Sequence, residues 1–72
     1  MINIEKKTFE SLFNLYYSGL IVYANRFTNQ IEISEDIVHD VFITLWEKKD
    51  SLLMESAKAY LFSSVRNRCL NH

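Results

Sequence analysis

The chain has 72 residues, of which 49% are hydrophobic and 14% aromatic, and its formal net charge is -1. This length and apolar content predict one packed globular domain, residues 1–72, and exclude an intrinsically disordered protein. The single cysteine excludes an internal disulfide and favours a reducing compartment, and no stretch is apolar enough to predict a membrane span, so we expect a cytoplasmic protein.

The first segment predicts a long helix that begins after Thr8, whose hydroxyl is a candidate N-cap. Hydrophobic residues then recur at helical spacing over about five turns. They are Phe9, Leu12, Phe13, Tyr16, Leu20, Ala24 and Phe27, with Tyr17 and Ile21 widening the stripe. Gly19 is the weak point, because an interior glycine costs about 1 kcal/mol relative to alanine. We expect a bend or the close approach of another helix there.

A second long helix is predicted from Ser34 to about Lys49, after a short polar turn at residues 28–30. Ser34 is the candidate N-cap, which would place Glu35 and Asp36 at the positive end of the helix dipole. The predicted core face comprises Ile37, Val38, Val41, Phe42, Leu45 and Trp46. The opposite face comprises Asp36, His39, Asp40 and Glu47.

The last part of the chain predicts a loop and a third helix. Residues 52–55 are mostly apolar but too few to pair as a strand, so we expect a loop that packs on the core. Ser56 can cap a helix that runs to the end, burying Tyr60, Leu61, Ser64 and Val65 and exposing Lys58, Arg66 and Asn67. Residues 69–72 carry no capping glycine and no polar tail, so we expect the chain to be the N-terminal domain of a longer protein.

These elements predict an all-α fold, a compact bundle of three or four helices, in which charge is sorted by sign. Residues 30–47 contain no lysine or arginine but five acidic residues, namely Glu32, Glu35, Asp36, Asp40 and Glu47. Residues 56–72 contain no acidic residue but three basic ones, Lys58, Arg66 and Arg68. An acidic helix beside a basic, aromatic-bearing helix can meet two partners of opposite character, a protein and a polyanion.

Two motifs lie in this half of the chain. Residues 34–46 are SEDIVHDVFITLW, and residues 58–71, after a gap of eleven, are KAYLFSSVRNRCLN. Together they resemble conserved region two of bacterial sigma factors of the extracytoplasmic-function group. The likeness extends upstream to Phe9, Leu12, Tyr16 and Tyr17 and so covers nearly the whole chain.

The resemblance implies that the acidic helix binds core RNA polymerase by docking on the helical coiled coil of its clamp. The matching positions are Asp36, His39, Asp40, Ile43 and Glu47. The family often has glutamine where this chain has His39, and either side chain can form hydrogen bonds. Carboxylates beside an apolar residue could pair with basic residues of a partner, although such a row taken alone is more typical of a solvated helix face.

The resemblance also implies that the last helix and the loop before it recognise and open the promoter element just upstream of the transcription start. A base of the single-stranded non-template strand would enter a small pocket at Ser64 and Asn67, with Leu52 or Leu53 as the loop wall. Asn67 can both donate to and accept from a base edge, and stacking on an aromatic ring is worth about 1–3 kcal/mol.

The remaining DNA-binding positions are aromatic or basic. Tyr60 stands where the family often has tryptophan, although such an aromatic residue is more typical of a core or half-buried position than of a stacking platform. Lys58, Arg66 and Arg68 suit phosphates, which position a strand without reading it. Arg68 could instead bond the backbone or an acidic neighbour, and Phe62 could pack on the loop. With so few cations, binding of the isolated domain to duplex DNA should be weak.

Catalysis finds no support in the sequence. His39, Cys69 and His72 lack metal-ligand spacing, and no glycine-rich phosphate loop is present. His39 beside Asp36 and Asp40 on an exposed helix face is more typical of a surface network than of a catalytic dyad. We therefore expect no enzyme, no cofactor and no metal.

Two other functions stay open. One is a helical protein interaction module with no role on DNA. The other is a helix-turn-helix reader of duplex DNA with residues 56–72 in the major groove, against which the apolar loop and the few basic residues argue. The resemblance further implies a separate helix-turn-helix domain after this one and an anti-sigma factor as inhibitory partner.

Overall fold

The computed structural model describes residues 4–71, which form three α-helices and one short 3₁₀ turn. In chain order these are α1 (Lys6–Thr28), α2 (Ile31–Glu47), the 3₁₀ turn (Met54–Ser56) and α3 (Ala57–Leu70). The predicted all-α bundle is confirmed. His72, considered above as a metal ligand, lies outside the described residues.

Helix α1 begins at Lys6, three residues before Phe9, the position expected for its start. Its N-cap is Glu5, whose side chain makes no capping hydrogen bond, so the prediction that Thr8 caps the helix is wrong. The start of α1 is fixed by the residues before it, because Ile4 is only 2% exposed and anchors the backbone that leads into the helix in the core.

Helix α1 is continuous through Gly19. A Cβ atom built there would meet no atom within 4 Å. The prediction that another helix approaches closely at this glycine is therefore wrong, and packing does not explain why the position lacks a side chain.

The turn between α1 and α2 is tighter than expected. Helix α1 ends at Thr28, Asn29 adopts the left-handed conformation with φ of 54°, and Gln30 is extended and forms the N-cap of α2. Ser34 is therefore not the cap but a fully buried residue inside α2. Its hydroxyl donates to the carbonyl oxygen of Gln30 at 3.0 Å and lies 2.7 Å from the Thr28 hydroxyl.

The earlier start of α2 moves two carboxylates away from the end of the helix. Glu35 and Asp36 lie in the second turn, and Glu32 is the acidic residue of the first turn. Because the effect of the helix dipole falls off within the first turn, the predicted stabilisation of Glu35 and Asp36 is wrong. The helix also ends at Glu47 and not at Lys49.

The core lies where the three helices meet. Its buried hydrophobic residues are Ile4, Leu12, Leu20, Ala24, Ile37, Val38, Val41, Phe42, Leu45, Ala57, Leu61, Val65 and Cys69. The predicted core face of α2 is confirmed except at Trp46, which is 36% exposed and lies at the rim. In α3, Leu61 and Val65 are buried as predicted, whereas Tyr60 and Ser64 are only half-buried.

Cys69 is a core residue that the predicted pattern of α3 did not include. Its thiol is buried and donates to the carbonyl oxygen of Ala24, with 3.8 Å between sulfur and oxygen. Burial raises the pKa of this thiol above its ordinary value, so the group stays protonated at neutral pH and is a poor nucleophile.

The connection from α2 to α3 packs partly on the core. Leu52 and Leu53 are half-buried, as a packed loop predicts, whereas Met54 is 44% exposed. Ser56 occupies the N-cap position of α3, but its hydroxyl makes no capping bond. The reason is that the 3₁₀ turn runs directly into α3 and leaves Ser56 with nearly helical dihedrals.

Candidate functional site

The exposed side of α2 carries the predicted acidic row. Asp36, His39, Asp40 and Glu47 are all exposed, and Ile43 lies among them with 57% of its surface accessible. Spacings of three and four residues place these five side chains on one side of the helix. We call this surface the acidic face.

His39 is held in place by α1. Its Nε2 atom lies 2.8 Å from the hydroxyl oxygen of Tyr17, and the two rings stack with centroids 5.4 Å apart. Tyr17 in turn stacks on Phe13 at 4.7 Å. The position of the imidazole on the acidic face is therefore set by the packing of α2 on α1.

An open apolar groove of about 550 Å³ lies between α1 and α2 beside the acidic face. We call it the aromatic groove; its lining residues are Lys6, Phe9, Glu10, Phe13, His39, Phe42, Ile43 and Trp46. The ring of Phe9 packs on those of Phe42 and Trp46 with centroids 6.0 and 5.1 Å apart. His39 and Ile43 belong to both surfaces, so charged and apolar contacts are available to one partner.

The sequence pattern missed this groove because it assigned the aromatic residues of both helices to a closed core. The feature of the sequence that indicates a surface groove is the number of its aromatic residues. Three large rings, those of Phe9, Phe13 and Trp46, stand on the same side as Phe42, and a three-helix domain of this size cannot enclose them all.

The predicted DNA-binding residues of α3 fall on two sides of the helix. Tyr60, Ser64 and Asn67 are four and three residues apart and share one side, which we call the pocket flank. Asn67 is exposed and the other two are half-buried. Lys58 and Arg66 are also exposed but are spaced to share a different side of α3.

The loop residues expected to wall the base pocket precede α3. Leu52 and Leu53 are half-buried, and Leu52 packs against the core. The pocket expected at Ser64 and Asn67 is distinct from the aromatic groove, whose walls come from α1 and α2.

Arg68 points towards the acidic face. Its Nη2 atom donates to the hydroxyl oxygen of Thr44 at 3.0 Å, and its Nη1 atom lies 4.0 Å from Oδ2 of Asp40. The Thr44 hydroxyl donates onward to the backbone carbonyl of Asp40 at 3.0 Å. The structure thus realises the alternative in which Arg68 pairs with an acidic neighbour. Both side chains are exposed, so the pair contributes little to stability.

Within residues 4–71, no three or more histidine, cysteine, aspartate or glutamate residues are grouped closely enough to hold a metal ion. In the same part of the chain, every helix is too short or too polar to cross a membrane.

A protein family model matches most of the chain. The family model described as Sigma-70 region 2 matches residues 12–72, which include all of α2 and α3 and most of α1. No curated protein and no solved structure matches the chain significantly.

Proposed function

The chain belongs to the Sigma-70 region 2 family, and we propose that it is the part of an extracytoplasmic-function sigma factor that melts the upstream promoter element. As a sigma factor domain it acts in RNA polymerase binding and promoter recognition. Sigma-70 region 2 is a transcription factor domain, and its family is not a known enzyme family. We further propose that polymerase binding and promoter recognition each belong to a different surface of the domain.

Core RNA polymerase binds the acidic face in this proposal. Asp36, Asp40 and Glu47 are exposed, and α2 itself carries no lysine or arginine that could pair with them. They can therefore pair with basic residues of the polymerase clamp coiled coil. Such pairs set orientation and association rate more than affinity. The aromatic groove beside them supplies apolar area, and Trp46 at its rim belongs to the residue type that most often dominates binding energy.

A base of the non-template strand binds at the pocket flank. Asn67 offers a donor and an acceptor to the base edge. Tyr60 offers an aromatic surface one turn before Ser64 and two turns before Asn67. Leu52 or Leu53, both half-buried, supplies the apolar wall. Lys58 and Arg66 contact phosphates in this proposal, because Arg68 is directed towards Thr44 and Asp40 on α2.

The observation that carries the proposal is that one small domain exposes two surfaces of different chemistry, each on its own helix. The acidic face lies on α2 and the pocket flank on α3, so polymerase and a DNA strand can be bound together. A helix-turn-helix reader fits less well, because residues 48–56 separate α2 from α3 where that motif has a short turn.

Asn67→Ala tests the base pocket. In complexes of the chain with core polymerase and fork-junction promoter DNA, the variant should lose about five- to tenfold of its discrimination at one unpaired base, the equivalent of about one hydrogen bond. Association with polymerase should not change. The matched control is Asn14→Ala, an exposed asparagine on α1. Equal loss at every base would contradict the pocket, and no loss would favour a protein interaction module without a DNA role.

We also propose that a helix-turn-helix domain follows this domain in the full protein and that an anti-sigma factor regulates it. Both expectations rest on the likeness of the motifs at 34–46 and 58–71 to the extracytoplasmic-function group.

A further inference from the structure

The acidic face contains one histidine among its five residues, His39. Histidine is the residue type whose charge changes between about pH 5 and pH 8, whereas aspartate and glutamate stay ionised over most of that range. His39 is exposed to solvent and also lines the aromatic groove. The carboxylates alone therefore do not set the charge of the surface that meets polymerase.

Tyr17 holds the imidazole by two contacts that do not require a particular charge on the ring. Its hydroxyl oxygen lies 2.8 Å from Nε2 of His39, and the two rings stack with centroids 5.4 Å apart. A tyrosine hydroxyl can donate to the lone pair of a neutral imidazole or accept from the N–H of a protonated one. The ring can thus gain a proton without leaving its place.

Tyr17 is itself held by the packing of α1 on α2. It is half-buried, and its ring stacks on that of Phe13 at 4.7 Å. Phe13 in turn packs against Phe42 of α2, with ring centroids 4.9 Å apart. A continuous series of aromatic contacts therefore runs from the core to the imidazole, and the fold sets where the ring lies on the acidic face.

Charged side chains from all three helices lie on or beside the acidic face and the groove around His39. Apart from Tyr17, they are Glu35, Asp36 and Asp40 on α2, Lys6 and Glu10 on α1, and Arg68 of α3, which reaches Asp40. Lys6 and Glu10 are opposite in sign, so the excess charge near the ring is negative. A proton on the imidazole places a positive charge among these carboxylates and lowers the negative charge that a basic partner meets.

We propose that Tyr17 is a positioning residue for polymerase binding and holds His39 as a pH-dependent element of the acidic face. A neutral ring leaves the carboxylates to pair with basic residues of polymerase, whereas a protonated ring repels those residues. A charged ring at an apolar groove also loses hydration when a partner covers it. Binding should therefore weaken as the pH falls. The inference rests on the proposed binding of polymerase at the acidic face and adds its regulation.

His39→Gln is the direct test, because glutamine keeps a side chain that forms hydrogen bonds but does not titrate. Association of the chain with core polymerase is measured by titration at about pH 8 and about pH 6, at constant salt. Wild-type affinity should fall by at least about threefold more than that of the variant, whose own change reports the effect of pH on polymerase. The matched control is His72→Gln, which replaces the other histidine of the chain and should keep the wild-type pH dependence.

Tyr17→Phe tests the positioning role, because it removes the hydroxyl and keeps the ring that stacks on Phe13. At about pH 8 the variant should bind polymerase about two- to fivefold more weakly, since the imidazole loses the hydrogen bond that holds it. In a His39→Ala background the same substitution should cause no further loss, because no imidazole remains to be positioned. Circular dichroism and thermal unfolding of each variant identify any loss of fold.

Three results would overturn the proposal. The first is an equal pH dependence in the wild type and His39→Gln. The second is tighter binding of the wild type at the lower pH, which would mean that the protonated ring meets an acidic group of polymerase. The third is an equal loss from Tyr17→Phe with and without His39, which would make Tyr17 a purely structural residue. Each can occur while Asp40→Lys still weakens polymerase association, so the pH dependence can fail with the acidic face intact.

Discussion

At the scale of single residues, the sequence predicts exposure better than it predicts partners. Asp36 and Asp40 were expected to be exposed from helical spacing alone, and they are. That Arg68 lies against Asp40 could not be deduced, because it depends on how α2 and α3 pack across a separation of 28 residues. From helical spacing, Arg68 is a candidate either for contacting phosphates or for bonding a neighbouring group of the chain, and only the packed structure distinguishes the two.

Asp40→Lys should weaken association with core polymerase by at least about tenfold, because it reverses a charge in the centre of the acidic face. Stability should change by less than about 1 kcal/mol, since the pair with Arg68 is exposed. Association is measured by titration with core polymerase, and stability by urea unfolding. Glu55→Lys is the matched control, an exposed reversal outside the acidic face. A cooperative loss of helicity in Asp40→Lys would instead assign Asp40 a structural role.

Trp46→Ala tests the aromatic groove. The variant should lose affinity for core polymerase by about tenfold or more, because a large ring at the rim of an apolar groove is a typical centre of binding energy. Leu15→Ala, an exposed apolar residue on α1 that does not line the groove, is the control. If the two variants bind polymerase equally well, the groove lies outside the interface.

At the scale of elements, the sequence predicted all three helices but misplaced several of their ends. Periodicity fixes which residues face the core, and it did so for Leu20, Val38 and Leu61. It does not fix where a helix begins. Ser34 has the chemistry of a cap, yet its hydroxyl bonds the carbonyl oxygen of Gln30 from inside α2, four residues later.

The turn between α1 and α2 depends on Asn29, whose positive φ is tolerated by asparagine better than by most residues. Asn29→Ala should destabilise the domain by about 1 kcal/mol, measured as a lower urea midpoint. Asn29→Gly should be nearly neutral, because glycine adopts this conformation freely. A neutral alanine variant would show that the turn can relax to a negative φ.

At the scale of the whole molecule, a three-helix domain of 72 residues cannot bury all the aromatic residues the chain carries. The surplus is distributed on both sides of α1, in the aromatic groove towards α2 and in a cluster of Tyr16, Tyr23, Phe27 and Phe62 towards α3. Both surfaces involve residues that a hydrophobic pattern assigns to the core, such as Phe13 and Tyr16. Sequence periodicity identifies an apolar side of a helix but not which part of it another helix covers.

The assignment of polymerase to the acidic face on α2 and of an unpaired base to the pocket flank on α3 is tested most directly in a mixture of the chain, core polymerase and a duplex promoter. The promoter carries 2-aminopurine in the non-template strand of the upstream element. Fluorescence should rise as the base leaves the stack, and only when both proteins are present. Asp40→Lys should restore the full rise at higher polymerase concentration, whereas Asn67→Ala should give a smaller rise at saturation. Polymerase that binds the chain without any rise in fluorescence would contradict the proposed promoter opening.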